Sequence, residues 1–115
     1  MCTGTFGTVT HLHTDEADNV LCQVGGHKLV RLWPPEGVGD ACFHVDETRG
    51  GNGASNKFSP IDAEAPDLEK FPKFADAAGK CFVCVLSPDD SLFIPKGWWH
   101  HVRSLTPSFS LNFWF

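Results

Sequence analysis

The sequence predicts an all-β protein, and three observations carry that prediction. Runs dense in β-branched and aromatic residues recur at short intervals, Gly, Pro, Asn and Asp punctuate them, and only one stretch has the makings of a helix. Short strands with turn signals between them fold as a sandwich or barrel. The 115 residues suit a single domain, 1–115. With 42% hydrophobic and 20% charged residues, whole-chain disorder is excluded. Nine Lys and Arg against 14 Asp and Glu, a net charge of −5, speak against the basic surface that nucleic acid requires. No run approaches the roughly 18 apolar residues of a membrane span, and MCTGTFGTVT lacks a basic-then-apolar signal.

Strands are expected at 5–13, 18–24, 27–33, 81–86, 91–95, 100–105 and 108–115. Between 18–24 and 27–33, Gly25-Gly26 suits a two-residue hairpin turn, because both central positions tolerate positive φ. That register pairs Gln23 with Lys28, Leu21 with Val30 and Asn19 with Leu32 on one face. A lysine on this largely apolar face calls for an anionic partner, unless it reaches outward from the strand end. The other face carries Val20, Cys22, Val24, Leu29 and Trp33 and also wants cover. Residues 34–60, rich in Gly, Pro and polar residues, read as a long surface loop. In DAEAPDLEKFPKF, Pro66 can open a short helix over 66–71, with Asp67 and Glu69 early, Lys70 late and Pro72 ending it. Ser87-Pro88-Asp89-Asp90 has the chemistry of a type I turn. Three strands, a long excursion and four more strands suit a jelly roll with facing sheets.

Five cysteines, Cys2, Cys22, Cys42, Cys81 and Cys84, form an odd set without a signal peptide, which fits a reducing compartment. Cys81 and Cys84 have CxxC spacing, but on a strand their sulfurs leave opposite faces, and no second pair completes a zinc site. They are read as packed core thiols.

Six histidines, at 11, 13, 27, 44, 100 and 101, offer more chemistry. His13 and Asp15 are two apart, so an extended strand sends both to one face, as two corners of a metal site. A histidine from a distant strand would complete a 2-His-1-carboxylate triad with open positions. In PKGWWHHVRSL, His100, Val102 and Ser104 share one face and His101, Arg103 and Leu105 the other, so one of the two adjacent histidines faces in. Ser110, Asn112 and Trp114 alternate with Phe109, Leu111, Phe113 and Phe115, which gives the last strand a polar-lined face.

Together, GTVTHLHTDEADNVLCQVGGHKLVRLWPP, SPIDAEAPDLEKFPKFADA and LSPDDSLFIPKGWWHHVRSLTPSFSLNFWF resemble the catalytic core of a JmjC-type, cupin-like oxygenase. Among these the chain is most similar to the small JmjC protein hydroxylases. The resemblance implies a double-stranded β-helix, dependence on Fe(II) and O2, and 2-oxoglutarate as cosubstrate. It places the metal triad on His13, Asp15 and His100, with His100 preferred over His101 because it follows the aromatic residue after the Pro-x-Gly turn. It places the cosubstrate carboxylate on Lys28 with help from Thr10, and assigns cosubstrate amides to Asn19 and Asn112. The activity implied is hydroxylation of a protein or peptide side chain with release of succinate and CO2, in the cytoplasm or nucleus.

The sequence also departs from that pattern. Only 12 residues precede His13, the chain stops on NFWF, and the upstream tyrosine that many members use for 2-oxoglutarate has no counterpart in a chain without Tyr. A minimal version, a fragment, or a homodimer through an uncovered apolar face would each account for this. Two other readings compete. One is a metal-binding cupin without 2-oxoglutarate, using His11, His13 and His100; it has no need of Lys28. The other is a catalytically silent scaffold that binds a partner; it has no reason to keep the triad, Lys28 and Asn112 together. Methyl-lysine demethylation would need an aromatic cage, for which Tyr is missing. The Gly-rich loop and DLEKFPKF are candidates for substrate contact, although the simpler reading of DLEKFPKF is that it packs on the barrel.

Overall fold

The computed structural model describes residues 2–4, 9–35, 40–43 and 57–115. Most of the 34–60 loop, including His44, and the first part of the strand expected at 5–13 lie outside the described residues. Among the described residues there are eight strands: β1 (Cys2–Gly4), β2 (Val9–His13), β3 (Asn19–Gly25), β4 (Lys28–Trp33), β5 (Phe82–Leu86), β6 (Ser91–Ile94), β7 (Trp99–Ser104) and β8 (Ser108–Trp114). All but β1 fall within about a residue or two of expectation where they are described, the usual scatter of strand ends. They form two antiparallel four-stranded sheets, ordered β1-β8-β3-β6 and β2-β7-β4-β5. Successive strands from β1 to β4 and from β5 to β8 alternate between the sheets, so the chain winds as a jelly roll.

That winding corrects the hairpin expected at Gly25-Gly26. β3 gives one edge to β6 and the other to β8, while β4 is flanked by β5 and β7, so no edge is left for the two to pair. The glycines instead turn the chain from one sheet to the other. Gly26 has φ +72°, and a Cβ there would run into Pro107 O and Ser108. Gln23 Nε2 donates to Gly25 O at 2.8 Å and Gly26 O at 3.1 Å, which pins the corner. The facing pairs are therefore replaced: Lys28 lies beside Leu86 and Ser104, and Leu21 beside Leu92 and Asn112. The assignment of faces survives, because period-2 alternation is local. Asn19, Leu21, Gln23, Lys28, Val30 and Leu32 are all buried, but they come from two sheets rather than one.

The Ser87–Asp90 turn also crosses between sheets. Asp90 N–H donates to Ser87 O at 3.0 Å, and Ser87 N–H to Asp90 Oδ2 at 2.9 Å. Asp89, its third residue, has φ +75°, so this is not the expected type I turn, whose third residue has negative φ. Asp is among the residues that tolerate this region, and Asp89 N–H is held by Gln23 O at 2.9 Å.

Two cores result. Leu21, Val30, Leu32, Leu86 and Ile94 fill the space between the sheets, with Cys84 packed against them. Leu12, Trp33, Phe43, Ile61, Phe74, Ala77 and Trp99 form a second core, against which Cys81 packs. Cys81 and Cys84 thus sit in different layers, as the strand alternation requires. Trp33, from the face that wanted cover, meets Phe43 and Phe74 and donates from Nε1 to Ala77 O at 3.0 Å.

The helix lies later than the expected 66–71. Asp67 Oδ1 accepts from the N–H groups of Glu69 and Lys70, and Phe71 N–H donates to Asp67 O, closing a single turn. Pro72 has no N–H to continue it. The helix proper, α1 (Phe74–Ala78), begins beyond that proline and buries Phe74 and Ala77. DLEKFPKF therefore ends by packing on the barrel.

Candidate metal and cosubstrate site

A bulge in β2 decides which residues reach the interior. Thr10 pairs with Val102 and His13 with His100, so three steps along β2 span two along β7. Strict alternation would send Thr10 and His13 to opposite faces; the extra residue brings both to the cavity between the sheets. The same bulge sends buried Leu12 to the outer core and leaves His11 beside Ser59, Pro60, Ile61 and Asp62. His11, His13 and His100 therefore do not converge, which removes the ligand set of the plain-cupin reading.

His13, Asp15 and His100 do converge: one ligand atom from each lies within 4.8 Å of the others. Asp15 Oδ2 is 3.2 Å from His100 Nε2 and 3.5 Å from His13 Nε2. His13 Nδ1 lies 2.7 Å from His11 O, and His100 Nδ1 3.1 Å from Trp98 O. A carbonyl can only accept, so each Nδ1 is the donor there, and each ring turns its Nε2 towards the carboxylate. Asp15 Oδ2 is buried and makes no hydrogen bond. Burial would push the Asp15 carboxyl up, but His100 and then His13 outweigh it and hold the group well below the usual carboxylate range. Two imidazole nitrogens and a carboxylate oxygen brought this close together are a donor set that a metal cation accepts.

The backbone holds these groups in place. Thr14 N–H donates to Lys57 O and Ser59 N–H to Leu12 O, laying residues 57–59 along β2. Gly97 N–H donates to Asp15 O at 2.9 Å, tying the Pro-Lys-Gly turn to the carboxylate that His100 faces.

The cavity, about 100 Å³, is lined by Thr10, His13, Asn19, Lys28, His100 and Asn112 among polar residues and by Leu21, Ile94, Val102 and Trp114 among apolar ones. Every residue that the family resemblance assigns to the metal or the cosubstrate lies in this cavity or, in the case of Asp15, in the donor cluster beside it. Lys28, only 6% exposed, donates from Nζ to Ser110 Oγ, itself fully buried. Asn19 Oδ1 is buried without a hydrogen-bond partner. Ser110 and Trp114 were on the polar-lined face of the last strand but had been given no role; their period with Asn112 is the signal that could have found them. Trp114 also walls a depression with Asp15, Glu16 and Ala17. His101 points to the opposite side, where burial pushes its imidazole below the ordinary value and Glu64 partly restores it.

Fold and cluster together define a jelly-roll domain whose interior offers donors for one metal ion next to a small-molecule cavity. Residues 1–115 match the family model described as a cupin-like domain. The chain is 39% identical to JmjC domain-containing protein F of Dictyostelium discoideum over 120 residues, covering 97% of this chain and 25% of that protein. It is 42% identical to lysine-specific demethylase 8 of Danio rerio over 111 residues, covering 96% and 25%. It is 41% identical to HSPB1-associated protein 1 of Mus musculus over 113 residues, covering 96% and 22%. The chain belongs to the cupin-like JmjC family. It spans about a quarter of the length of these curated relatives. No helix among the described residues is long and apolar enough to cross a membrane.

Proposed function

We propose that this domain is an Fe(II)- and 2-oxoglutarate-dependent oxygenase that hydroxylates a side chain of a protein or peptide, releasing succinate and CO2. The observation that carries the reading is the convergence of two imidazole Nε2 atoms and a carboxylate oxygen beside a cavity that also holds a buried lysine. His13, Asp15 and His100 would hold the iron as a facial triad that leaves positions open. Bound there with 2-oxoglutarate and O2, iron supplies oxidative decarboxylation coupled to insertion of oxygen into a C–H bond.

The chain's own residues bind and orient. Lys28 provides a desolvated cation for a carboxylate, and the Ser110 hydroxyl fixes its direction. Thr10 and Asn112 offer further polar groups, and Asn19 Oδ1 has an unused lone pair for a bound group or a water. Leu21, Ile94 and Val102 exclude water from the same space. Trp114 stands between this cavity and the depression beside Asp15, where a substrate side chain would approach.

Demethylation would be the same oxygen insertion at an N-methyl carbon, and three relatives carry demethylase names. Among the described residues lining the cavity and the depression, Trp114 is the one aromatic ring besides histidine, which favours hydroxylation over a methylammonium cage. The described cysteines, Cys22, Cys42, Cys81 and Cys84, are free thiols, which supports an intracellular site, cytoplasmic or nuclear.

The test is anaerobic titration with Fe(II) and then 2-oxoglutarate, watching the visible metal-to-ligand charge-transfer band. A band lost in Asp15→Ala is the expected result. Iron binding without a band would favour a cupin that uses no 2-oxoglutarate. A folded chain that binds no iron would favour a silent scaffold. With an active preparation, peptide mass spectrometry separates a gain of oxygen from a loss of methyl.

A further inference from the structure

On the outer face of the second sheet a different cluster has formed. In register, β4 Arg31 lies beside β7 His101, and Leu29 beside Arg103. Asp62 and Glu64, from the excursion between β4 and β5, come to lie against this face. One ligand atom from each of Asp62, Glu64 and His101 lies within 4.8 Å of the others. His101 Nε2 is 3.6 Å from Glu64 Oε1.

His101 makes this more than a group of surface acids. It is 1% exposed, and neither of its ring nitrogens has a hydrogen-bond partner. His13 and His100 each place Nδ1 on a carbonyl; His101, the most buried of the three, places neither. A desolvated imidazole with both nitrogens unmatched is costly, and the ring lies beside the carboxylates of Glu64 and Asp62.

We propose that His101, Glu64 and Asp62 form a second cation site, suited to a borderline divalent ion of the zinc type. One imidazole and two carboxylates, with water in a fourth position, are a donor set such an ion accepts. Asp62 also lines a surface depression with His11, Ser59, Pro60 and Ile61.

Two arginines set the affinity. Arg103 Nε donates to both Glu64 oxygens, at 2.7 and 2.6 Å, and Arg31 Nη1 is 3.9 Å from Oε2. A carboxylate has about four lone-pair sites, so Arg103 orients Glu64 and leaves the side facing His101. The two guanidiniums offset the two carboxylates, so the site binds more weakly than the same donors would alone. An ion here ties the excursion to the strand that carries His100. It is distinct from the interior triad, because His100 and His101 leave opposite faces of β7.

The experiment uses Co2+ alone on the Asp15→Ala chain, where the interior triad is broken. One bound equivalent is expected, with the intense visible bands of low-coordinate Co2+. Adding Asp62→Asn, an exposed position, should weaken binding at least tenfold, and adding Arg31→Gln should tighten it several-fold. A folded Asp15→Ala chain that binds no Co2+, or Co2+ binding indifferent to Asp62→Asn, overturns the proposal; so does looser binding in Arg31→Gln. Should Asp15→Ala fail to fold, Asp62→Asn in the otherwise intact chain is read by stoichiometry. A fall from two ions to one supports the second site, and no change overturns it.

Discussion

Replacing Lys28 by Met separates a ligand-binding lysine from a structural one. Lys28 lies between the sheets at 6% exposure and donates to Ser110 Oγ, which has no access to solvent. Met keeps the length of the stem and removes the charge. For the fold, two effects oppose each other. Removing a buried charge is neutral or favourable when an apolar group of similar size replaces it. Leaving the Ser110 hydroxyl without its donor costs about 1–3 kcal/mol. Stability should therefore change little. For 2-oxoglutarate there is no such compensation, because a buried carboxylate loses its cation. Truncating one member of a buried, hydrogen-bonded charge pair costs about 2–4 kcal/mol, roughly 30-fold to several-hundred-fold in Kd. The assay is anaerobic titration of 2-oxoglutarate into the Fe(II)-loaded chain, alongside urea unfolding. A Lys28→Met, Ser110→Ala double variant should recover any lost stability and none of the affinity. Affinity within about threefold of the parent would refute the reasoning, as would equal loss of iron and 2-oxoglutarate binding.

Other perturbations test the rest of the architecture. His13→Ala, Asp15→Ala and His100→Ala should each abolish iron-dependent turnover, while His101→Ala should keep part of it; a folded His101→Ala as inactive as His100→Ala would reverse the choice of ligand. Gly26→Ala should destabilise by at least about 2 kcal/mol in urea unfolding, since a Cβ there meets Pro107 O at positive φ; a neutral result would mean that the corner relaxes freely. Phe74→Ala should cost about 3–5 kcal/mol, because its ring is 1% exposed against Trp33 and Phe43. Phe93, Phe113 and Val24, each about half exposed, leave an apolar stretch on the first sheet. If a second copy covers it, sedimentation should report a dimer that Phe113→Ser dissociates; a monomer at high concentration would dispose of self-association.

Outside the bulged β2, which side of a strand a residue faces was legible in the sequence, because alternation depends on the chain alone. Lys28 was placed among Leu21, Val30 and Leu32, and His100 was separated from His101, on that basis, and the structure agrees. The HxD triplet and the histidine after the Pro-Lys-Gly turn were legible for the same reason, each needing only a few consecutive residues. The family resemblance then joined these pieces across the 84 positions between Asp15 and His100.

Which strand lies beside which was not legible. Gly25-Gly26 satisfies the local chemistry of a hairpin as well as that of a corner between sheets; only the claims of β6 and β8 on both edges of β3 decide between them. The positive φ at Asp89 is likewise held by a carbonyl of β3, far away in sequence. The helix moved beyond Pro72 because Trp33 and Phe43 offer Phe74 a place in the outer core. Most consequential is the bulge at His11 and Leu12, which shifts the phase of β2 against β7 and so admits Thr10 and His13 together while excluding His11. The sequence by itself determined the faces and the chemistry each could carry. The tertiary structure alone decided pairing, phase and the meeting of Asp62, Glu64 and His101, because those depend on contacts between segments whose spacing along the chain carries no record of their distance in space.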